Sequence, residues 1–171
     1  LGGVVQPAQI AMQIIPPLLG VDGPRDTLMM FQNNAEVRTT GGNPAAVMLL
    51  HGEGGDLSIA QQASSSDLAF GRPESVIPLN PESEALYTNR IGRWAVDLTF
   101  TPDVAEQAAL LRAFWAEAFG GEPVDSVASF DPVALGYLLE ATGPLTLETG
   151  DVLTSENAVS LLLNEVYFRY P

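Results

Sequence analysis

The sequence predicts a layered α/β domain, and three observations carry that prediction. Segments of strand length alternate with segments of helical period, the pattern of a sheet covered by helices. Of the 171 residues, 46% are apolar and only 16% charged, so the composition is that of a packed domain and not of a disordered chain. At this length one core is expected, burying roughly 70% of the unfolded chain's surface. Residues 1–171 therefore read as a single domain.

The elements follow in order. From Val4 to Leu19 the apolar residues Val5, Ala8, Ile10, Met12, Ile14, Ile15 and Leu18 keep a helical spacing. Pro16-Pro17 is expected to end that run, because proline disfavours helical geometry in the residue before it. Gly20 to Pro24 reads as a turn, and Thr27 to Phe31 as an apolar run of buried-strand length. A polar stretch from Gln32 to Asn43 follows. Ala45 to Leu50 and Leu57 to Gln61 are strands, joined across His51 to Asp56 by glycines that supply the positive φ of a hairpin. Ala63 to Asp67 and Gly71 to Pro81 read as loops, a long excursion of the kind that often carries function.

The second half is more regular. Thr101 is the expected N-cap of a helix with Pro102 at its first position, an apolar face from Val104 to Ala118, and Gly120-Gly121 at its end. Val124 to Phe130 is a strand. Asp131-Pro132 caps a helix carrying Val133, Leu135, Leu138 and Leu139, which stops at Gly143-Pro144. Leu145 to Leu147 is a short strand and Thr149 to Asp151 a turn. Thr154-Ser155-Glu156 starts the last helix, Ala158 to Phe168, with Leu161, Leu162 and Val166 inward.

Charge excludes several functions. The chain carries 21 acidic residues against seven basic ones, all arginine, for a net charge of −14. A phosphate backbone would be repelled by a field of that sign, so no nucleic acid is expected as a partner. Without cysteine, disulfides, thiolate zinc sites and cysteine nucleophiles are impossible, and the one histidine, His51, rules out a histidine-rich metal centre. No run of eighteen apolar residues spans a membrane, and no charged leader precedes a cleavage site. The chain is expected to be an excised or processed portion of a longer protein.

The densest polar cluster runs from Gln32 to Gly42 and leaves a strand. Such a loop can grip a phosphate or pyrophosphate: Arg38 supplies a bidentate fork, Gly41 and Gly42 offer backbone N–H groups, and Glu36 holds a divalent cation. The same loop also reads as Glu36 and Arg38 paired with each other while the amides close turns. Arg90 and Arg93 could bind one anion together or pair with nearby carboxylates, and Arg169 could join that site or simply favour a helix end. Ser64-Ser65-Ser66 and His51 lack the Gly-x-Ser-x-Gly context of a serine hydrolase.

Three ordered stretches resemble the family known as domain of unknown function 4012. They are Asp26 through Phe31-Gln32-Asn33-Asn34-Ala35-Glu36-Val37-Arg38 to Gly42, then Val124 through Asp131-Pro132-Val133-Ala134-Leu135 to Pro144, then Thr154 to Val159. The resemblance implies an actinobacterial protein of the cell envelope, anchored in the membrane by a segment absent from this chain, with its domain extracytoplasmic. That family is similar in turn to the LytR–CpsA–Psr proteins, which transfer glycopolymers from a polyprenyl-pyrophosphate carrier to peptidoglycan using Mg²⁺ and several arginines. The implied fold is a three-layer α/β/α domain with a mixed central sheet. The implied activity is that of a phosphotransferase or pyrophosphatase, with a lipid-linked glycan or polyprenyl phosphate and peptidoglycan as partners.

In that scheme Arg38 and Glu36 are catalytic, and Asn33, Asn34, Arg90, Arg93, Arg169, Gly41 and Gly42 bind substrate. Glu36 and Asn34 would hold Mg²⁺. The sequence also departs from the enzymes: Gly42-Asn43-Pro44 stands where they carry arginine and aspartate, and Ala63 to Asp67 contains no arginine. Those departures imply the alternative, a non-catalytic envelope binding or scaffold module on the same fold.

Overall fold

A computed structural model describes residues 2–69, 71–121 and 123–170. Helix α1 (Gly2–Leu18) precedes a meander of three strands, β1 (Arg25–Asn33), β2 (Asn43–Glu53) and β3 (Asp56–Ser64). Two short helices follow, α2 (Ser65–Leu68) and α3 (Pro81–Tyr87), then 3₁₀ turns at Arg90–Gly92 and Ala95–Phe100. The long helix α4 (Val104–Phe119) leads to β4 (Ser126–Phe130) and α5 (Pro132–Thr142). A two-stranded ribbon of β5 (Leu145–Thr146) and β6 (Val152–Leu153) precedes a closing helical stretch. That stretch joins α6 (Ala158–Ser160), a π-helical turn (Leu161–Glu165) and α7 (Val166–Arg169).

The main sheet has the order β3-β2-β1-β4. β1, β2 and β3 pair antiparallel, while β4 returns parallel to β1 after the α4 crossover, which makes the sheet mixed. The β1 residues Leu28 and Met30 point at α4 and join Val47, Leu68, Ile91, Leu98, Leu110, Leu111, Phe114 and Trp115 in the core. Leu28, Phe114 and the two leucines beside it on α4 are fully buried, each stabilising the fold by about 1.5–3 kcal/mol. On the other face Phe31 meets Phe130 edge to face at 6.0 Å, at the carboxyl ends of β1 and β4. There α5 and the π-helical turn approach the sheet, and their own small core of Leu139, Leu153, Ala158 and Leu161 lies apart from the first.

The α/β class and the mixed sheet stand as expected, and local details differ for identifiable reasons. Helix α1 runs through Pro16 and Pro17 instead of stopping at them, since its last turn is closed by Leu19 N–H to Ile15 O and Gly20 N–H to Pro17 O. α4 begins at Val104, not at Pro102. The Asp103 carboxylate accepts from the Ala105 and Glu106 N–H groups, whereas Thr101 is buried and hydrogen-bonded to Ser83. Ala63 and Ser64 extend β3, and Ser64 with Asp67 forms a reciprocal capping box that turns the expected loop into α2. His51 lies within β2, opposite Asp26 in register, and not in the turn.

The hairpin end of the sheet is locked to the α1 exit. Gly54 and Gly55 N–H donate to the Gly20 and Leu19 carbonyls. Gly20, at φ +63°, sits so near Gly52 that a Cβ would fall 2.1 Å from the Gly52 carbonyl oxygen.

Candidate functional site

β1 and β4 are parallel neighbours, and the chain leaves their carboxyl ends in different directions, into loop 34–42 and into α5. Crevices at such points are where open α/β sheets bind ligands. Here a pocket of about 220 Å³ opens between Phe31 and Phe130 on the sheet, Pro132 and Leu135 on α5, and Leu162, Leu163 and Tyr167 on the closing helix. Gln32, Asn33 and Asp131 form its polar side. The π-helical turn, a feature often found at functional sites, places Leu162 and Leu163 in the wall.

Asp131 joins the two departing segments. Its Oδ1 accepts from Ala134 N–H at 2.7 Å, capping α5, and its Oδ2 accepts from Asn34 Nδ2 at 3.1 Å, tying down the loop. The loop closes on itself through Glu36, whose carboxylate accepts from Asn43 Nδ2 at 2.9 Å and Asn33 Nδ2 at 3.5 Å. The Asn33 side chain also accepts from Ala35 N–H, an Asx turn. Outside contacts pin the loop to the stretch before α4: Thr39 Oγ1 donates to Phe100 O, Thr99 Oγ1 to Gly42 O, and Gln107 Nε2 to Thr40 Oγ1. Three buried polar atoms of the loop and the first residue of β2 have no partner, Asn34 Oδ1, Arg38 Nε and Asn43 Oδ1.

The residues expected to act together divide into two groups. Asn33, Asn34, Glu36, Arg38, Gly41 and Gly42 do share this loop. Arg38, however, folds back into it, donating to the Val37 carbonyl at 3.1 Å, lying 3.8 Å from Glu36 and stacking over Phe100 at 4.8 Å. Gly41 N–H donates to Arg38 O, so it serves the loop and not an anion. Gly42 is required by close approach, since a Cβ there would lie 2.2 Å from the Asn33 carbonyl oxygen.

Arg90, Arg93 and Arg169 are engaged elsewhere. Arg90 Nε donates to the buried Asp97 carboxylate at 2.5 Å, and Arg93 Nε donates to the Arg72 carbonyl. Arg169 is held between Asp151 and Glu165, and no arginine lines the pocket. Of the residues expected to hold Mg²⁺, Glu36 is faced by two amide N–H donors and a guanidinium, while the Asn34 nitrogen donates to Asp131 and leaves Asn34 Oδ1 buried without a partner; no group of three or more acidic or histidine side chains that could hold a metal ion occurs among the described residues.

Two other acidic positions are electrostatically distinct and lie outside the pocket. The Tyr170 hydroxyl and then Thr149 hold Asp151 below its usual carboxylate range, and the Ser64 hydroxyl does the same for Asp67. The hydrogen bond that His51 donates to Asp26 raises the imidazole pKa above its ordinary value, opposed by desolvation and helped by Glu53.

The sequence assigns Asp131 to a helix start, Phe31 to a buried strand and Leu162 to the inward side of a helix. The available signal was the repeated polar–apolar junction at strand ends, Phe31-Gln32-Asn33 and Phe130-Asp131-Pro132, two sites that the parallel pairing brings side by side. In comparisons with known proteins, the family described as "Protein of unknown function (DUF4012)" matches residues 22–167, and the chain belongs to it. No curated protein and no solved structure matches.

Proposed function

From membership in a family whose function is open, we propose that this domain is a non-catalytic binding module of the cell envelope. Its pocket beside β1 and β4 receives a small apolar portion of an envelope ligand. The observation that carries this reading is the pocket itself: apolar walls, one polar side of amides and a carboxylate, and no cation among the lining residues. A glycopolymer phosphotransferase needs charge-neutralising groups on the leaving pyrophosphate. Here the seven arginines hold other parts of the fold and Glu36 is ringed by N–H donors. The extracytoplasmic setting and a role near peptidoglycan are part of the same proposal and rest on the family resemblance alone.

The phosphotransferase remains the second reading on one observation, that Glu36 and Arg38 share a strand-end loop with Asn33 and Asn34. One experiment separates the two. Incubation with a polyprenyl-pyrophosphate analogue and Mg²⁺ should release or transfer no phosphate. Turnover that depends on Arg38 would replace the binding module with the enzyme.

A further inference from the structure

We infer that the pocket selects a ligand whose polar end donates hydrogen bonds, an amine before an alcohol, on a ring-sized apolar body, and that it rejects anionic heads. The inference rests on reading this pocket as the binding site and adds what the pocket recognises. Its size comes first. At about 220 Å³ it holds roughly seven water volumes of ~30 Å³ each, below the ~300–1,000 Å³ of drug-sized sites. A ring or a short branched chain fits, and a long lipid does not.

The walls fix the body of the ligand. Phe31 and Phe130 form the floor with Leu135, Leu162 and Leu163 above it, and Tyr167, 63% exposed, leaves an aromatic face at the rim. A hydrocarbon ring placed there removes apolar surface on both sides from water.

The polar side fixes the head. Each Asp131 oxygen already accepts one hydrogen bond, from Ala134 N–H or from Asn34 Nδ2, and each keeps a further lone pair. A carboxylate gives an incoming group only acceptor capacity, so the complementary head must donate. An ammonium gains a charge-assisted bond, an alcohol a neutral one, and a phosphate or carboxylate meets like charge.

No positive charge nearby reverses that preference. The positive end of α5, which would otherwise attract an anion, is already occupied by the Asp131 carboxylate. All seven arginines are engaged with internal partners: Arg25 with Asp125, Arg38 within its loop, Arg72 with Glu117 and Arg90 with Asp97. Arg93 is bound to the Arg72 carbonyl, Arg112 to the Val124 and Asp125 carbonyls, and Arg169 to Asp151 and Glu165. With a net charge of −14, the long-range field also favours cations over anions.

The test uses three probes with one body: cyclohexylmethylamine, cyclohexylmethanol and cyclohexanecarboxylate, titrated into the ¹⁵N-labelled domain at low salt. Saturable amide shifts are expected at residues 31–33, 130, 131, 133–135 and 162–167. The amine should bind about tenfold more tightly than the alcohol, the carboxylate more weakly than either. Asp131→Asn, which retains an N-capping side chain, should bring the amine to within about threefold of the alcohol. Glu140→Gln, the same charge change on the exposed side of α5, should preserve the tenfold preference.

Carboxylate binding as tight as alcohol binding, or an amine preference that survives Asp131→Asn, overturns the inference and leaves the pocket reading in place. Failure of all three probes to shift those amides overturns both.

Discussion

Truncating Asp131 should do more harm than removing a helix cap. Two hydrogen bonds end on this carboxylate, from Ala134 N–H at 2.7 Å and from Asn34 Nδ2 at 3.1 Å. In Asp131→Ala the first loss leaves α5 uncapped, at a cost of about 1 kcal/mol within a range of ~0.5–2. The second strands the amide nitrogen of Asn34, whose oxygen is already buried without a partner. A stranded amide costs a further ~1–3 kcal/mol. The expected loss is therefore about 2–4 kcal/mol, or a Tm lower by roughly 4–16 °C for a domain of this size. Asp131→Asn keeps a capping oxygen and loses only the favourable bond to Asn34, so its expected cost is about half as large. Urea titration followed by circular dichroism measures both; with m near ~2 kcal/mol/M the alanine variant should shift the midpoint by about 1–2 M. Equal midpoints for the two variants would refute the argument, because the cap would then carry nothing separate from the bond to Asn34. A shift below about 0.3 M for alanine would refute the claim that Asp131 joins the loop to α5 at all.

Gly42→Ala should disorder loop 34–42 without unfolding the core, because its Cβ would meet the Asn33 backbone carbonyl and not a side chain that can move. Loss of the amide dispersion of residues 33–43, with core amides still protected from exchange, checks this. Arg90→Ala should destabilise by about 1–3 kcal/mol, since it leaves the buried Asp97 carboxylate without its guanidinium, and should not change the affinity of any pocket ligand. Thermal melts and the probe titration read the two effects separately. His51 should show an imidazole pKa above 6.5 that falls in Asp26→Asn, measured by NMR titration of its ring protons. Because the folded value is the higher one, the stabilisation it gives is complete below about pH 6.5 and is lost as pH rises through the folded value. The stability gap between the wild type and Asp26→Asn should narrow over that window.

What was readable in the sequence is what short-range chemistry dictates. Asp131-Pro132 starts α5 and Gly143 ends it because a capping carboxylate, a residue without an N–H and a glycine at φ +89° each act within one turn. The apolar run at Thr27 to Phe31 is a strand because nothing polar interrupts it, and the loop after it was visible as the densest cluster of amides and charges. The segment from Arg90 to Phe100 was not legible. It is two 3₁₀ turns without regular period, held by Asp97 on Arg90 and by Val76 N–H on Gly92 O. Pairing partners were beyond reach for the same reason. Asn34 and Asp131 are 97 residues apart and meet only because β4 enters the sheet parallel to β1. The loop's own Glu36–Arg38 contact was one of the two readings open at the outset, and it is the one the geometry realises.

The arginines show how composition can mislead about function and still constrain it. Seven guanidinium groups among 21 acids invite a search for an anion site, and a resemblance to pyrophosphate-handling enzymes sharpens that search. A guanidinium offers five donors in a fixed fork, which suits it as well to joining segments of a chain as to gripping phosphate. Here it does the former. Arg25 reaches Asp125 across 100 positions, Arg93 reaches the Arg72 carbonyl, Arg112 fastens α4 to the entry of β4, and Arg169 ties α7 to the turn before β6. Lysine, with a single point charge on a flexible stem, could not make several of these contacts at once. Once every cation is used in this way, the acids that remain set the field over the pocket. A chain that reads as an anion binder by its arginine count is therefore built, at the pocket beside the ends of β1 and β4, to receive a donor.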